Sequence, residues 1–95
     1  MNYILKNKIP VLEPNILKWA KWAEANWYKR VVAQDYIGNY EVSTIFLGID
    51  HNFWDNNKPL LFETMIFPEC DYCERCATWD EALEQHKRAI ESLKI

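Results

Sequence analysis

Three evenly spaced cysteines are the residues of this sequence whose spacing most suggests chemistry. Cys70, Cys73 and Cys76 are each separated by two residues in the stretch CDYCERC. Cys-x2-Cys is the usual chelating half of a structural zinc site, which needs a fourth ligand such as a histidine. His51 and His86 are the two histidines of the chain, but His86 lies ten residues past Cys76, about 15 Å of helix rise. The stretch also lacks a glycine to turn the chain, so we expect loop thiols and keep a zinc site as the alternative.

A second group of residues has the chemistry of a general acid and base. Asp50 and His51 end one predicted strand, Glu63 lies inside the next strand, and His86 is on the inward side of the last predicted helix. An imidazole and a carboxylate held together in a small core can transfer protons. They can equally satisfy each other as a buried polar network. We favour the network and a protein that is not an enzyme, because no nucleophile, phosphate loop or metal motif accompanies the group.

Two aromatic residues in a polar stretch form a candidate binding anchor. Phe53 and Trp54 lie in HNFWDNNKP, where a loop is expected. Aromatic side chains at the surface commonly anchor a protein partner. The alternative is that Phe53 folds back over the core, so contact with a partner is expected chiefly through Trp54.

The elements that must position these residues follow from hydrophobic periodicity. The N-terminal pattern predicts a short hairpin turning at Asn7 and Lys8, followed by an amphipathic helix. Pro14 suits the first turn of this helix, which is expected to start after Glu13 or with Asn15 near the cap. Thr78 and Glu81 form a capping box that opens the last helix. The predicted elements are a hairpin of residues 3–5 and 9–12, a helix over 15–27, strands near 29–37, 40–50 and 60–67, and a helix from residue 78.

These elements predict an α+β fold in one domain covering residues 1–95. An antiparallel sheet of three strands, or slightly more, carries an N-terminal and a C-terminal helix packed on it. The second and third strands are apolar on both faces. Such strands suggest that helices cover one face and a partner chain covers the other, so we expect a homo-oligomer.

Composition and charge restrict the classes of function. The chain has 95 residues, 49% of them hydrophobic, and no apolar run long enough for a membrane helix. The N-terminus does not read as a signal peptide, so a cytosolic protein is expected. Net charge is −3, with a balance of +2 over residues 1–48 and −5 over residues 49–95. This balance argues against nucleic-acid binding through phosphates.

Three segments resemble a family of small proteins encoded in tailed phages and prophages. They are VSTIFLGIDHNF (42–53), PLLFETMIF (59–67) and TWDEALEQH (78–86), and together they cover roughly the C-terminal half of the chain. The family pattern has Leu-Gly-(apolar)-Asp-His at the end of a strand, then Leu-Phe-Glu-Thr-Met, then a Thr-Trp helix start followed by a histidine. The family has a glycine-rich turn where this chain has its cysteines. The resemblance carries no enzymatic motif and implies a phage accessory protein in the host cytoplasm.

The function predicted from these observations is binding without catalysis, with no cofactor. The partner is expected to be a host or defence protein that the phage protein inhibits; a small signalling molecule held between two copies is a variant of this idea. A structural or assembly role in the virion is the alternative. A zinc-stabilised module, or a small enzyme using His51, Glu63 and His86, is a further alternative.

Overall fold

The computed structural model describes residues 1–50, 58–68 and 72–94. The elements are, in order, β1 (Tyr3–Lys6), β2 (Ile9–Leu12), α1 (Ile16–Ala25), a 3-10 helix (Trp27–Arg30), β3 (Val31–Ile37), β4 (Tyr40–Phe46), β5 (Phe62–Phe67), β6 (Cys73–Cys76) and α2 (Trp79–Ser92). Strands β3 to β6 form an antiparallel sheet in sequential order, and β1 pairs with β2 separately. The predicted α+β class, with an N-terminal and a C-terminal helix packed on an antiparallel sheet, is confirmed.

Two of the expected loop thiols, Cys73 and Cys76, lie instead in a strand, β6. Cys73 pairs with Met65, and Cys76 pairs with Phe62, so β6 extends the sheet at its edge. A strand of four residues is too short for its alternation of inward and outward side chains to be recognised in the sequence. The two cysteines, three positions apart, do not follow that alternation. The exposed backbone groups of β5 supply the hydrogen bonds that make this segment a strand.

Strands β3 and β4 are both shorter than predicted. Residues 27–30 form the 3-10 helix, so β3 begins at Val31. The guanidinium of Arg30 donates hydrogen bonds to the carbonyl oxygens of Phe46 (3.0 Å) and Leu47 (3.2 Å). Gly48 then has a φ of +78°, which turns the chain out of the extended conformation. Strand β4 therefore ends at Phe46 and does not continue to residue 50.

The predicted N-terminal hairpin is confirmed. Lys6 pairs with Ile9 across a two-residue turn. Both turn residues are left-handed, with φ of 51° at Asn7 and 69° at Lys8. Two left-handed residues give the turn whose twist matches that of antiparallel strands.

Both helices begin at the capping residues that the sequence indicates. The Asn15 side chain accepts hydrogen bonds from the amides of Leu17 and Lys18 at the start of α1. The Thr78 hydroxyl accepts from the amide of Glu81, 3.1 Å away, at the start of α2. Helix α2 contacts all four strands of the sheet, whereas α1 packs chiefly on β1 and the 3-10 helix.

The core between α2 and the sheet contains two apolar clusters. The first cluster is Phe46, Leu61, Phe62, Cys76 and Ala82, and the hairpin and α1 add Tyr3, Leu5 and Trp22 to its edge. The second cluster is Val42, Ile66 and Ala89. No helix among the described residues is long and apolar enough to cross a membrane.

Candidate functional site

Five polar residues lie between the two apolar clusters and form the polar layer, defined as Asp35, Thr44, Thr64, Gln85 and His86. Thr44 and Thr64 are directly opposite each other on β4 and β5. Both threonines have no accessible surface, and Gln85 and His86 of α2 are only 1% and 4% exposed. Burial of this many polar groups is unfavourable unless they bond to one another.

The polar layer is one continuous chain of hydrogen bonds. Gln85 Nε2 is 2.9 Å from Thr64 Oγ1, which is 2.6 Å from Thr44 Oγ1. Thr44 Oγ1 is 2.7 Å from His86 Nδ1, and His86 Nε2 is 2.8 Å from Asp35 Oδ2. No buried side-chain nitrogen or oxygen among the described residues lacks a partner.

The order of donors in this chain is set from its two ends. Gln85 Nε2 also donates to the backbone carbonyl oxygen of Glu74 at 2.8 Å, which identifies this atom as the amide nitrogen and as the donor to Thr64. At the other end a carboxylate only accepts, so His86 Nε2 carries a ring proton and donates it to Asp35. In the tautomer with its only ring proton on Nε2, Nδ1 accepts from the Thr44 hydroxyl, which in turn accepts from that of Thr64.

The acid that binds His86 is Asp35 and not Glu63, so the predicted pairing of Glu63 with His86 is wrong. Glu63 alternates with the buried Phe62 and Thr64, so its side chain is on the other face of the sheet. There it forms an ion pair with Arg75, with 2.8 Å between Oε2 and Nε. Asp50 has a different role again, because its carboxylate accepts a hydrogen bond from the amide of Leu60 at 3.2 Å.

Asp35 escaped the sequence analysis because it lies on an edge strand between polar and aromatic neighbours. Its strand pairs Asp35 with Val42, a buried residue facing α2. This register makes Asp35 face the helix, although its side chain remains 52% exposed. The pairing of Asp35 with Val42 is the signal that locates this residue, because paired residues face the same side of a sheet and Val42 is buried.

The polar layer has the groups of a catalytic triad in the same order, but its hydroxyl is not accessible to a substrate. An acid, an imidazole and a hydroxyl succeed one another, as in hydrolases that activate a nucleophile. The hydroxyl of Thr44 has no accessible surface, and the Thr64 hydroxyl covers it. Both nitrogens of His86 are also bonded to protein groups. In this arrangement the layer joins α2 to the sheet and does not present a nucleophile to a substrate.

The two described cysteines do not fit a shared zinc site. Cys76 pairs with the buried Phe62 and faces α2, while Cys73 pairs with Met65 on the opposite face. A single metal ion cannot bind thiolates on both faces of a paired strand. Burial and the nearby Glu81 raise the pKa of the Cys76 thiol to about 11, and burial and Glu63 raise that of Cys73. Both shifts favour thiols over the thiolates that zinc requires.

The second candidate site is the sheet face opposite α2, which we name the open face. It consists of the outward-facing side chains of β3 to β6: Gln34, Tyr36, Glu41, Ser43, Ile45, Glu63, Met65, Phe67, Cys73 and Arg75. The helix, the hairpin and Trp22 all pack on the other side of the sheet. Within residues 1–50, 58–68 and 72–94, no helix covers the open face.

The open face mixes apolar and polar groups. Ile45 and Met65, on the two central strands, are half-buried, and Tyr36 and Phe67 are 70% and 36% exposed. Arg75 is paired with Glu63, and the Gln34 side chain donates to the carboxylate of Glu41. On the two central strands Glu63 is opposite Ile45 and Ser43 is opposite Met65, so polar and apolar side chains alternate, as in interfaces of mixed polarity.

Four of the predicted site residues, His51, Phe53, Trp54 and Cys70, lie outside the described residues. The others are divided among separate places: His86 is in the polar layer, Glu63 and Cys73 are on the open face, and Cys76 is in the core. The chain matches no protein-family model, no curated protein sequence and no solved structure.

Proposed function

We propose that this chain is a binding protein that acts on another protein through the open face, without catalysing a reaction. The observation that carries the proposal is a sheet face that no helix in the described part of the chain covers, with Ile45 and Met65 on its two central strands. Unpartnered sheet faces of small proteins are normally polar, whereas this one places aliphatic side chains on both central strands.

The chemistry of the open face favours a separate protein partner over a permanent second copy. Obligate dimer interfaces are largely apolar, while the interfaces of reversible complexes carry many polar groups. Glu41, Glu63 and Arg75 give the open face mixed charges, and Arg75 already neutralises Glu63. A folded protein with polar groups complementary to these charges and apolar groups for Ile45 and Met65 is the partner that this pattern fits.

The internal polar layer supports a role in binding over one in catalysis. The groups with acid and base chemistry are used to hold α2 against the sheet, with Thr44 fully buried. The resemblance to a phage protein family supplies the proposed setting, the cytoplasm of a host, and an inhibited host or defence protein as the target.

A charge placed at the centre of the open face tests the proposal. The tagged protein is used to isolate a partner, and its affinity is then measured with purified components by calorimetry. Met65→Lys should weaken that affinity by about thirtyfold or more, because central interface positions contribute most of the binding energy. The matched control is Leu83→Lys, a similar change at a 44% exposed position on α2. The control should remain within about threefold of the unsubstituted protein.

Three results would contradict the proposal. One is a partner that binds Met65→Lys as tightly as the unsubstituted chain, which would place the interface elsewhere. Another is a dimer that Met65→Lys converts to a monomer, measured by analytical ultracentrifugation, because the open face would then bind a second copy. The third is stable incorporation into phage particles, which would favour the virion alternative.

A further inference from the structure

A hollow of about 400 Å³ lies where three elements meet, away from the open face. The turn of the β1–β2 hairpin contributes Lys8, the 3-10 helix contributes Tyr28 and Lys29, and α2 contributes its first residue, Trp79. Leu5 is also in its wall. The volume is within the range of roughly 300–1,000 Å³ that is typical of small-molecule sites.

The hollow combines aromatic rings with positive charge. The Nζ of Lys8 is 5.4 Å from the centroid of the Trp79 ring, and the Nζ of Lys29 is 6.0 Å from that of Tyr28. No acidic residue is among the described residues that line it. The described residues that line the hollow therefore carry two positive charges and no negative charge.

The backbone holds one of these lysines in an unfavourable conformation. Lys8 has a φ of 69°, a left-handed value that favours glycine or asparagine. Glycine at this position would relieve that cost but would remove the ammonium group above Trp79. The hairpin turn requires this conformation, and lysine at this position adds a cation over an aromatic ring in the wall of the hollow.

The geometry points to this hollow as a binding site for a nucleoside phosphate. A nucleobase stacks on the ring of Tyr28, which is 69% exposed, and the phosphate binds Lys8 and Lys29 as point charges. Asp80 lines an adjoining hollow that shares Lys8 and Trp79 with this one, and its carboxylate can accept hydrogen bonds from sugar hydroxyls. The carboxylate also makes that side unfavourable for further phosphates, which favours a free nucleotide over a nucleic-acid strand.

Calorimetric titration of the full chain tests this site with four ligands: adenosine 5′-monophosphate, adenosine, inorganic phosphate and a short oligothymidylate. The monophosphate should bind with a dissociation constant of about 1 mM or below, at least tenfold tighter than adenosine or phosphate alone. Lys8→Ala combined with Lys29→Ala should weaken binding by about tenfold or more, and Tyr28→Ala by about fivefold or more.

Two variants that each remove one lysine provide the control for charge. Lys8→Ala should weaken binding, whereas Lys21→Ala, at an exposed position on α1, removes the same charge and should change affinity by less than about twofold. Thermal unfolding confirms that each variant is folded. The site is refuted by equal affinity for phosphate and monophosphate, by equal effects of the two lysine variants, by absent binding, or by binding of the oligothymidylate alone.

Discussion

Removal of the Thr44 hydroxyl is the most direct test of the polar layer. Valine has nearly the shape of threonine, so Thr44→Val removes one polar group without opening a cavity. The change breaks the contacts of 2.6 Å to Thr64 and 2.7 Å to His86. It leaves the hydroxyl proton of Thr64 and the Nδ1 of His86 without partners in a region that water does not reach.

The expected loss of stability follows from those two groups. A buried polar group without a partner costs about 1–3 kcal/mol. The additional methyl group returns at most about 0.8 kcal/mol of hydrophobic stabilisation. Because two such groups are left, the free energy of unfolding should fall by about 1–5 kcal/mol. For a chain of this size, each kcal/mol corresponds to a melting temperature lower by about 4–8 °C.

The donor order makes a further distinction within the same experiment. Thr64→Val leaves one amide hydrogen of Gln85 unpaired, while the other amide hydrogen still reaches the Glu74 carbonyl oxygen. It should cost less than Thr44→Val. The double variant should cost less than the sum of the two single changes, because the orphaned Thr64 hydroxyl is then absent.

Urea unfolding followed by circular dichroism provides the measurement, with Ser43→Ala as the control. Ser43 is adjacent to Thr44 but lies on the open face, and its loss should change the free energy of unfolding by less than about 0.5 kcal/mol. If Thr44→Val is as stable as the unsubstituted chain, or no less stable than Ser43→Ala, the polar layer does not stabilise the fold as described.

Two further predictions concern the backbone and the acid stability of the fold. Gly48 and Gly38 both have positive φ, but an added Cβ at Gly48 would stand 2.9 Å from Trp19 Nε1, whereas nothing lies within 4 Å at Gly38. Gly48→Ala should therefore lower the free energy of unfolding by about 2 kcal/mol or more and Gly38→Ala by about 1 kcal/mol, as measured by urea unfolding; equal losses would contradict the steric argument. The hydrogen bond from Tyr72 is the main cause that lowers the pKa of Glu74 below its ordinary value of 4.5. Its stabilising contribution is present above that value and is lost as pH falls through the lowered pKa, so Glu74→Gln should lose less stability than the unsubstituted chain as pH decreases from about 5 to 3; parallel acid-unfolding curves would exclude this contribution.

The parts of the fold that could be predicted are those determined by neighbouring residues. Asn7 and Lys8 between two short apolar stretches predict the hairpin, and Asn15 and Thr78 predict the starts of the helices. In each case the deciding interactions span only a few residues. The pattern around His86 also predicts that this residue faces the core, which burial of the side chain confirms.

The parts that could not be predicted depend on contacts that are distant in sequence. Asp35 is 51 residues from His86, and only the register between β3 and β4 turns it towards the helix. Glu63 looked like the better partner because it lies in an apolar strand, but alternation places it on the other face. Strand β6 could not be predicted for the same reason, since its pairing with β5 depends on that neighbouring strand and not on its own four residues.

The polar layer explains how one side of the sheet can be fixed while the other stays available. A shift of α2 along the sheet by one turn would move Gln85 and His86 against apolar residues such as Phe62 or Ile66, leaving their polar atoms unpaired. The layer thus admits one position of the helix, whereas two purely apolar clusters would admit several. With α2 held in this way, the sheet needs no second covering helix for its alignment. Its opposite face can therefore keep the half-buried Ile45 and Met65, as the proposed binding role requires, without loss of the fold.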